Sequence, residues 1–388
     1  MNQPMARHLG MAVGFFLLLG GLLGAPAVRG QQHGPGHPPE PGHEPAGRFP
    51  HALVLGDFNG DGHLDIAVPA AAERKLTVLL GDGTGGIGAN HAYPAGQGPG
   101  WVEASDLNGD GVLDLVTANT GGGSLSIYLG DGKGGFTALP EITGIHGPAS
   151  VVAGDFNRNG RMDLAVSQAA KSQVTILENL GGGRFTLTRT YPVGRGPHIL
   201  AKADLNADGT VDLLVGSFAT HVLTILLGKG DGTFESREVK VGRFPHYMVF
   251  GDFDRDGHLD VAVVCAGEDA VWVLAGDGKG NLRKAAAIPV GSNPHGMTAG
   301  DFNGDGIVDL VVSNRSSRDL SVLLGDGKAF KPGRMIPTDH DIIALAAGDF
   351  DKDGRLDLAL VSASHHAVLI VRGTGTGEFR PPGQGGGQ

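Results

Sequence analysis

From residue 48 onward the chain alternates apolar runs of three to five residues with polar stretches dense in Gly, Asp and Asn, and the pattern recurs every 48 or 49 residues. Each unit has four segments. The first is a short run ending in a small residue, as in ALVLG, SVVAG and YMVFG, and that last residue is Gly56, Ser105, Gly154, Ala203, Gly251, Gly300 or Gly348. The second is nearly all apolar (IAV, LAV, LLV, VAV), as expected of a strand covered on both faces. The third (LTVLL, LSIYL, LTILL) runs into a Gly-rich turn such as GDGTGG, and the fourth is polar, as expected of an outer edge. No 3.6-residue periodicity competes. A fixed period of this length marks a repeat architecture, and four strands in each of seven units predict an all-β fold, a seven-bladed β-propeller of four-stranded antiparallel blades. The small residues ending the first segments are expected where seven strands crowd a central axis.

Between the first and second segments lies a nine-residue stretch, first seen as DFNGDGHLD, that places oxygen-bearing side chains at positions 1, 3, 5 and 9 around Gly at position 6. The sets are Asp57, Asn59, Asp61, Asp65; Asp106, Asn108, Asp110, Asp114; and Asp155, Asn157, Asn159, Asp163. They continue with Asp204, Asn206, Asp208, Asp212; Asp252, Asp254, Asp256, Asp260; Asp301, Asn303, Asp305, Asp309; and Asp349, Asp351, Asp353, Asp357. Four such side chains and the carbonyl at position 7 can converge on one hard cation, which fits Ca²⁺ with its six to eight oxygen ligands and flexible geometry. A transition metal would call for imidazole or thiolate at those positions. A metal-free Asx turn accounts for the Gly and the first Asp, but leaves four oxygens recurring in register without a role. Calcium is therefore expected, up to seven ions, one per blade. Charge differs among the loops: those at 252 and 349 carry four Asp, and the one at 155 carries two.

The segments GDFNGDGHLDIAV and LTVLLGDGTGGI resemble the FG-GAP or VCBS repeats of bacterial extracellular proteins, similar in plan to the calcium-bearing propeller of integrin alpha chains. The resemblance runs from about residue 48 to 380 and implies a secreted calcium-binding propeller used for binding or adhesion. No integrin leg domains follow.

Charge then changes little. The formal net charge is −11, and the loops hold more than half of the 41 acidic residues, so seven divalent ions would more than neutralise the chain. Its acidity is metal-site charge rather than a sign of a basic partner, and with secretion it disfavours nucleic acid. Arg7 and His8 precede the apolar run 10–24 and the small residues Ala25-Pro26-Ala27, which predicts a signal peptide over 1–27 and a secreted, periplasmic or extracellular protein with no membrane span in the mature chain. Residues 28–47, rich in Pro, Gly and His, are expected to form a flexible segment, and 381–388 a Gly-rich tail. His33, His37 and His43 in the former could pick up a transition metal. Cys265 is single, so no intrachain disulfide can form. After Val371 blade seven is short of outer-strand sequence, and residues 44–47 are expected to pass beside Phe379 and Arg380 as a short clasp.

In a propeller the Asp loops lie on one face and the other two connections of each blade on the opposite one. That second face offers the Pro-His pairs ending in His51, His198, His246 and His295, with Trp101 at the matching place of blade two and Arg315, Arg318 and His365 in neighbouring turns. Such a surface suits an extracellular glycan or protein ligand, bound by a monomer. Repeated Pro-His pairs also serve simply to stiffen blade junctions. No nucleophile elbow or phosphate loop occurs. The enzyme alternative is a calcium-dependent polysaccharide lyase or hydrolase with one of these histidines as base, and a third reading is a structural surface module.

Overall fold

The computed structural model describes residues 43–380. The expected signal peptide, most of the Pro/Gly/His segment and the Gly-rich tail lie outside the described residues. Among the described residues no helix is long and apolar enough to cross a membrane.

Seven antiparallel sheets form the seven blades. Blade one runs outward from Val54–Gly56 through Asp65–Ala70 and Lys75–Gly81 to Ile87–Pro94. Innermost strands of successive blades touch one another, and Val54–Gly56 of blade one meets Ile342–Gly348 of blade seven, which closes the ring. The second strand of every blade is buried along its whole length, which is why its sequence is apolar without alternation.

Two blades split their outermost strand. In blade two Phe136–Ala138 and Ile142–Thr143 both pair with Ser124–Gly130. Pro140 falls between them and has no N–H to continue the ladder. In blade seven the edge of Ala367–Gly373 is shared between the two ends of the described chain. Phe379–Arg380 pairs with Gly373 and Arg372, and His43–Pro45 pairs with Leu369, Val368 and Ala367. The strand His43–Pro45 thus belongs to blade seven, ahead of residue 48. The N-terminal clasp also lies farther along the edge than Phe379 and Arg380. A tight turn, Thr374 N–H to Glu378 O at 2.9 Å, starts the C-terminal pairing at Gly373, and the N-terminal piece takes up the same edge from Leu369 to Ala367.

The small residue ending each inner strand has a different cause from axial crowding. A Cβ on Gly56 would stand 2.5 Å from the ring of Phe58 in its own loop and 2.9 Å from Leu113 of the next blade. Gly154, Gly251, Gly300 and Gly348 are likewise closed in by Phe156, Phe253, Leu356 and Leu64. The two exceptions follow the same logic: Ser105 and Ala203 precede loops whose second residue is Leu107 or Leu205 instead of Phe. These rings join the blades. Phe58, Phe156, Phe253 and Phe302 meet Phe136, Phe234, Phe330 and Phe379 of the following blade edge-on, with centroids 5.1–5.7 Å apart. Each such pair contributes about 0.5–1.5 kcal/mol beyond its area.

Candidate functional site

Each Asp loop is folded by its own carboxylates. Asp57 accepts the N–H groups of Gly60 (2.8 Å), Asp61 (3.1 Å) and Gly62 (2.9 Å). Asn59 Oδ1 accepts from Asp61 N–H at 2.9 Å, and Asp61 Oδ1 from His63 N–H at 2.8 Å. The bonds from positions 5 and 6 to position 1 recur in the other six loops, and the one from position 4 recurs at Gly109 and Gly304. Position 6 has φ between 77° and 88° throughout, which is why Gly stands there. Position 4 is also left-handed, yet holds Arg158, Ala207, Arg255 and Lys352 in four loops.

The ninth residue does something its spacing did not reveal. Asp65 is fully buried and ties the loop to the sheet, accepting Phe58 N–H and Gly81 N–H, each at 2.8 Å. Asp114, Asp212, Asp260, Asp309 and Asp357 repeat this pair of bonds at 2.7–3.1 Å, and Asp163 accepts from Asn179 N–H at 2.8 Å. Burial above all pushes Asp65, Asp212 and Asp357 up to about 6, and the neighbouring loop carboxylates add to the shift. An Asx turn alone left the recurring oxygens unexplained; the full network gives positions 1, 3, 5 and 9 each a backbone partner without any metal.

These bonds leave carboxylate lone pairs over, and the donor set remains oxygen throughout. In the two four-Asp loops the carboxylates come closest: oxygens of Asp252, Asp254 and Asp260, and of Asp349, Asp351 and Asp353, lie within 4.8 Å of one another. In the second of these, Arg355 pairs with Asp353, and Arg372 Nη1 is 3.3 Å from Asp351. These residues fit a hard divalent cation, and a resident arginine partly serves the blade-seven loop already.

On the opposite face the Pro-His pairs converge. His198 and His246 meet with ring centroids 4.9 Å apart, and His246 and His295 at 4.3 Å. All three, with His51, are buried. Burial pushes His51 and His198 down to about 4 and His246 and His295 well below the ordinary value, and the Arg315 guanidinium acts in the same direction on His51, His246 and His295. At neutral pH these imidazoles are uncharged. Around them Phe218 stacks on Phe244 at 4.5 Å, and Phe244 and Phe49 each meet a turn histidine, His221 and His366, at 5.1 and 5.4 Å. Arg318 is exposed, at a left-handed position closing its turn. His365 is exposed on blade seven, beside His340.

Trp101 does not belong to this face. It is fully buried, because it stands one residue beyond Gly100, the true counterpart of the histidines, and strand alternation turns it into the core. Sequence reading also passed over a charge pair on the inner strands. Lys202 Nζ of blade four lies 2.8 Å from buried Glu103 of blade two and donates to Ala153 O of blade three at 2.7 Å. Charged residues inside the apolar segments VEASD and ILAKA were its signal.

The FG-GAP-like repeat family matches residues 57–117, 106–166, 204–263, 252–312 and 301–360, most of the ring. The chain belongs to this family. Among solved structures it is similar to BBS1N in complex with ARL6DN, at 14% identity and TM-score 0.61 over 89% of this chain and 95% of that one. It is also similar to the Pseudomonas aeruginosa periplasmic gluconolactonase PpgL, at 16% identity and TM-score 0.55 over 77% and 95% of the two chains. Kuenenia stuttgartiensis hydrazine synthase shares the fold at 14% identity and TM-score 0.57, over 88% and 99%. At such identities the likeness is one of fold alone. No curated protein matches the chain.

Proposed function

We propose that this FG-GAP propeller is a secreted, calcium-loaded binding module that holds a protein partner on the face opposite its Asp loops. The observation that carries the reading is the chemistry of that face. Phe49, Phe218 and Phe244 leave ring surface open on turns that also carry the exposed Arg48, Arg195 and Arg243, with Glu73 and Glu268 between them, over a floor of neutral histidines. Aromatic rings and arginines together are the composition of protein-binding hot spots. BBS1N, of the same fold, is solved in complex with ARL6DN, which supports a protein as the ligand class.

Calcium, when bound, supplies charge neutralisation on the other face. Asp252, Asp254, Asp256 and Asp260, with their counterparts in the remaining loops, would hold it. The loop carboxylates, close enough to repel, favour such an ion.

A second reading is an enzyme acting on a sugar lactone or polysaccharide. It rests on the fold shared with the gluconolactonase PpgL and on the four unprotonated imidazoles of this face, which values near 4 make weak bases. One experiment separates the readings. Extracellular proteins captured by the immobilised chain in Ca²⁺ are purified and remeasured by calorimetry against wild type and a Phe49→Ala/Phe244→Ala variant, with glycan binding and lactone or polysaccharide turnover followed in parallel. Partner affinity should fall at least about tenfold in the variant. Undiminished affinity, a ligand that is only a glycan, or turnover would overturn the protein-binding reading.

A further inference from the structure

On blade seven the turns around 338–341 and 363–366 bring two histidines together. The rings of His340 and His365 lie edge to face with centroids 4.3 Å apart, and their Nδ1 atoms are 3.0 Å apart. The same Nδ1 of His365 also stands 3.0 Å from Ser364 Oγ and 3.2 Å from Ser362 Oγ. An imidazole nitrogen has one proton or one lone pair, so it can serve only one of these three neighbours at a time. Two imidazole nitrogens and two hydroxyl oxygens are thus gathered at one contact between turns, nitrogen and oxygen donors of the kind a borderline divalent cation takes.

We propose that His340 and His365 form a cis bis-imidazole site for Cu²⁺ or Ni²⁺, with the Ser364 hydroxyl and water as further ligands. Two nitrogens each about 2.0–2.1 Å from one ion are about 2.9 Å apart at a right angle and about 3.3 Å apart at the tetrahedral angle. The observed 3.0 Å lies near the first, which suits the tetragonal preference of Cu²⁺ and Ni²⁺ better than tetrahedral Zn²⁺.

The surroundings hold this geometry. Asp341 Oδ1 accepts Ser364 N–H at 2.9 Å and Ser364 O–H at 2.5 Å, and Ser362 O–H at 3.4 Å, so a carboxylate fixes both serines without itself joining the ligands. Arg315 Nε, 3.9 Å from Asp341 Oδ2, offsets part of its charge. Thr338 fixes the other turn, donating its hydroxyl to His340 O at 2.9 Å. His365 is exposed, so an ion can reach it. The site also adjoins the seam: His366 O accepts Ala46 N–H at 2.9 Å and His366 Nδ1 accepts Phe49 N–H at 3.3 Å. An ion joining the two turns would therefore stiffen the blade that the N-terminal strand completes.

The test uses the full chain without an affinity tag, saturated with Ca²⁺, and titrates Cu²⁺ or Ni²⁺ by calorimetry and thermal melting. Wild type is compared with His340→Asn, His365→Asn and the double variant. His33, His37 and His43 are present in all four proteins, so the differences report the pair alone. Loss of one metal equivalent or an affinity at least about tenfold weaker in the variants, with the metal-induced rise in Tm abolished, is expected. Equal stoichiometry and affinity in the double variant would reduce the pair to an N–H···N hydrogen bond and overturn the site. Should the variants fail to fold, wild-type crystals soaked in Ni²⁺ decide the matter: an anomalous peak between the two Nδ1 atoms supports the site, and its absence refutes it.

Discussion

Acid should weaken this propeller through its histidine floor, by an amount that can be worked out. His198 and His51 are held at about 4 by burial, against an ordinary 6.5. A histidine with a depressed folded value favours the folded state above 6.5, and that stability is lost as the pH falls from 6.5 towards 4, because only the unfolded chain takes up the proton. Between pH 7 and pH 5 the loss comes to about 2 kcal/mol per histidine. Asp65, Asp212 and Asp357, raised to about 6, act in the opposite sense: their stabilising contribution is present below about 4 and is lost as the pH rises through 6. The overall pH profile therefore mixes two signs, and the informative quantity is a difference between proteins. His198→Gln removes one titrating group and leaves every aspartate in place. Urea unfolding of wild type and His198→Gln at pH 7 and pH 5, both in Ca²⁺, should show wild type losing about 2 kcal/mol more than the variant. Equal losses would mean that His198 can be protonated in the folded state and that its burial does not set its titration.

Chelation with EDTA should lower Tm relative to millimolar Ca²⁺, because an ion bound only to the folded loops stabilises them by mass action; superimposable calorimetric scans would refute this. Occupancy in crystals grown at limiting calcium should be highest in the Asp252 loop, lower in the Asp349 loop where Arg355 and Arg372 already sit on two carboxylates, and lowest in the Asp155 loop with its two Asp. Uniform occupancy would reject ligand charge as the determinant. Removing residues 43–47 should speed amide exchange at 367–369, where the N-terminal strand pairs, whereas removing only 28–42 should not; hydrogen exchange measures both. Glu103→Ala leaves the partly exposed Lys202 with only Ala153 O as acceptor and should cost roughly 1–2 kcal/mol in denaturant unfolding, against a negligible change if the pair is merely solvated.

The seven-bladed ring could be read along the chain because each blade is built from neighbours in sequence: strands follow one another outward, so a period of 48 or 49 residues and four apolar or polar segments specify it without long-range information. The oxygen loops were legible for the same reason, their four side chains falling within nine residues. What lay beyond reach depended on contacts between blades. The Gly that ends an inner strand answers to a Phe two residues on and a Leu in the next blade, and Asp65 and its equivalents turn out to tie loop to sheet as well as to offer an oxygen. Trp101 looked like a partner of the Pro-His pairs until the register moved it one residue, and so to the other side of the strand. The pair of His340 with His365 and the bridge from Glu103 to Lys202 join residues 25 and 99 positions apart, and the histidine floor gathers residues from 51 to 295. Closure of the ring sets those distances, and it also brings the N-terminal strand against Ala367–Leu369, on an edge where the described C-terminal strand pairs only with Arg372 and Gly373.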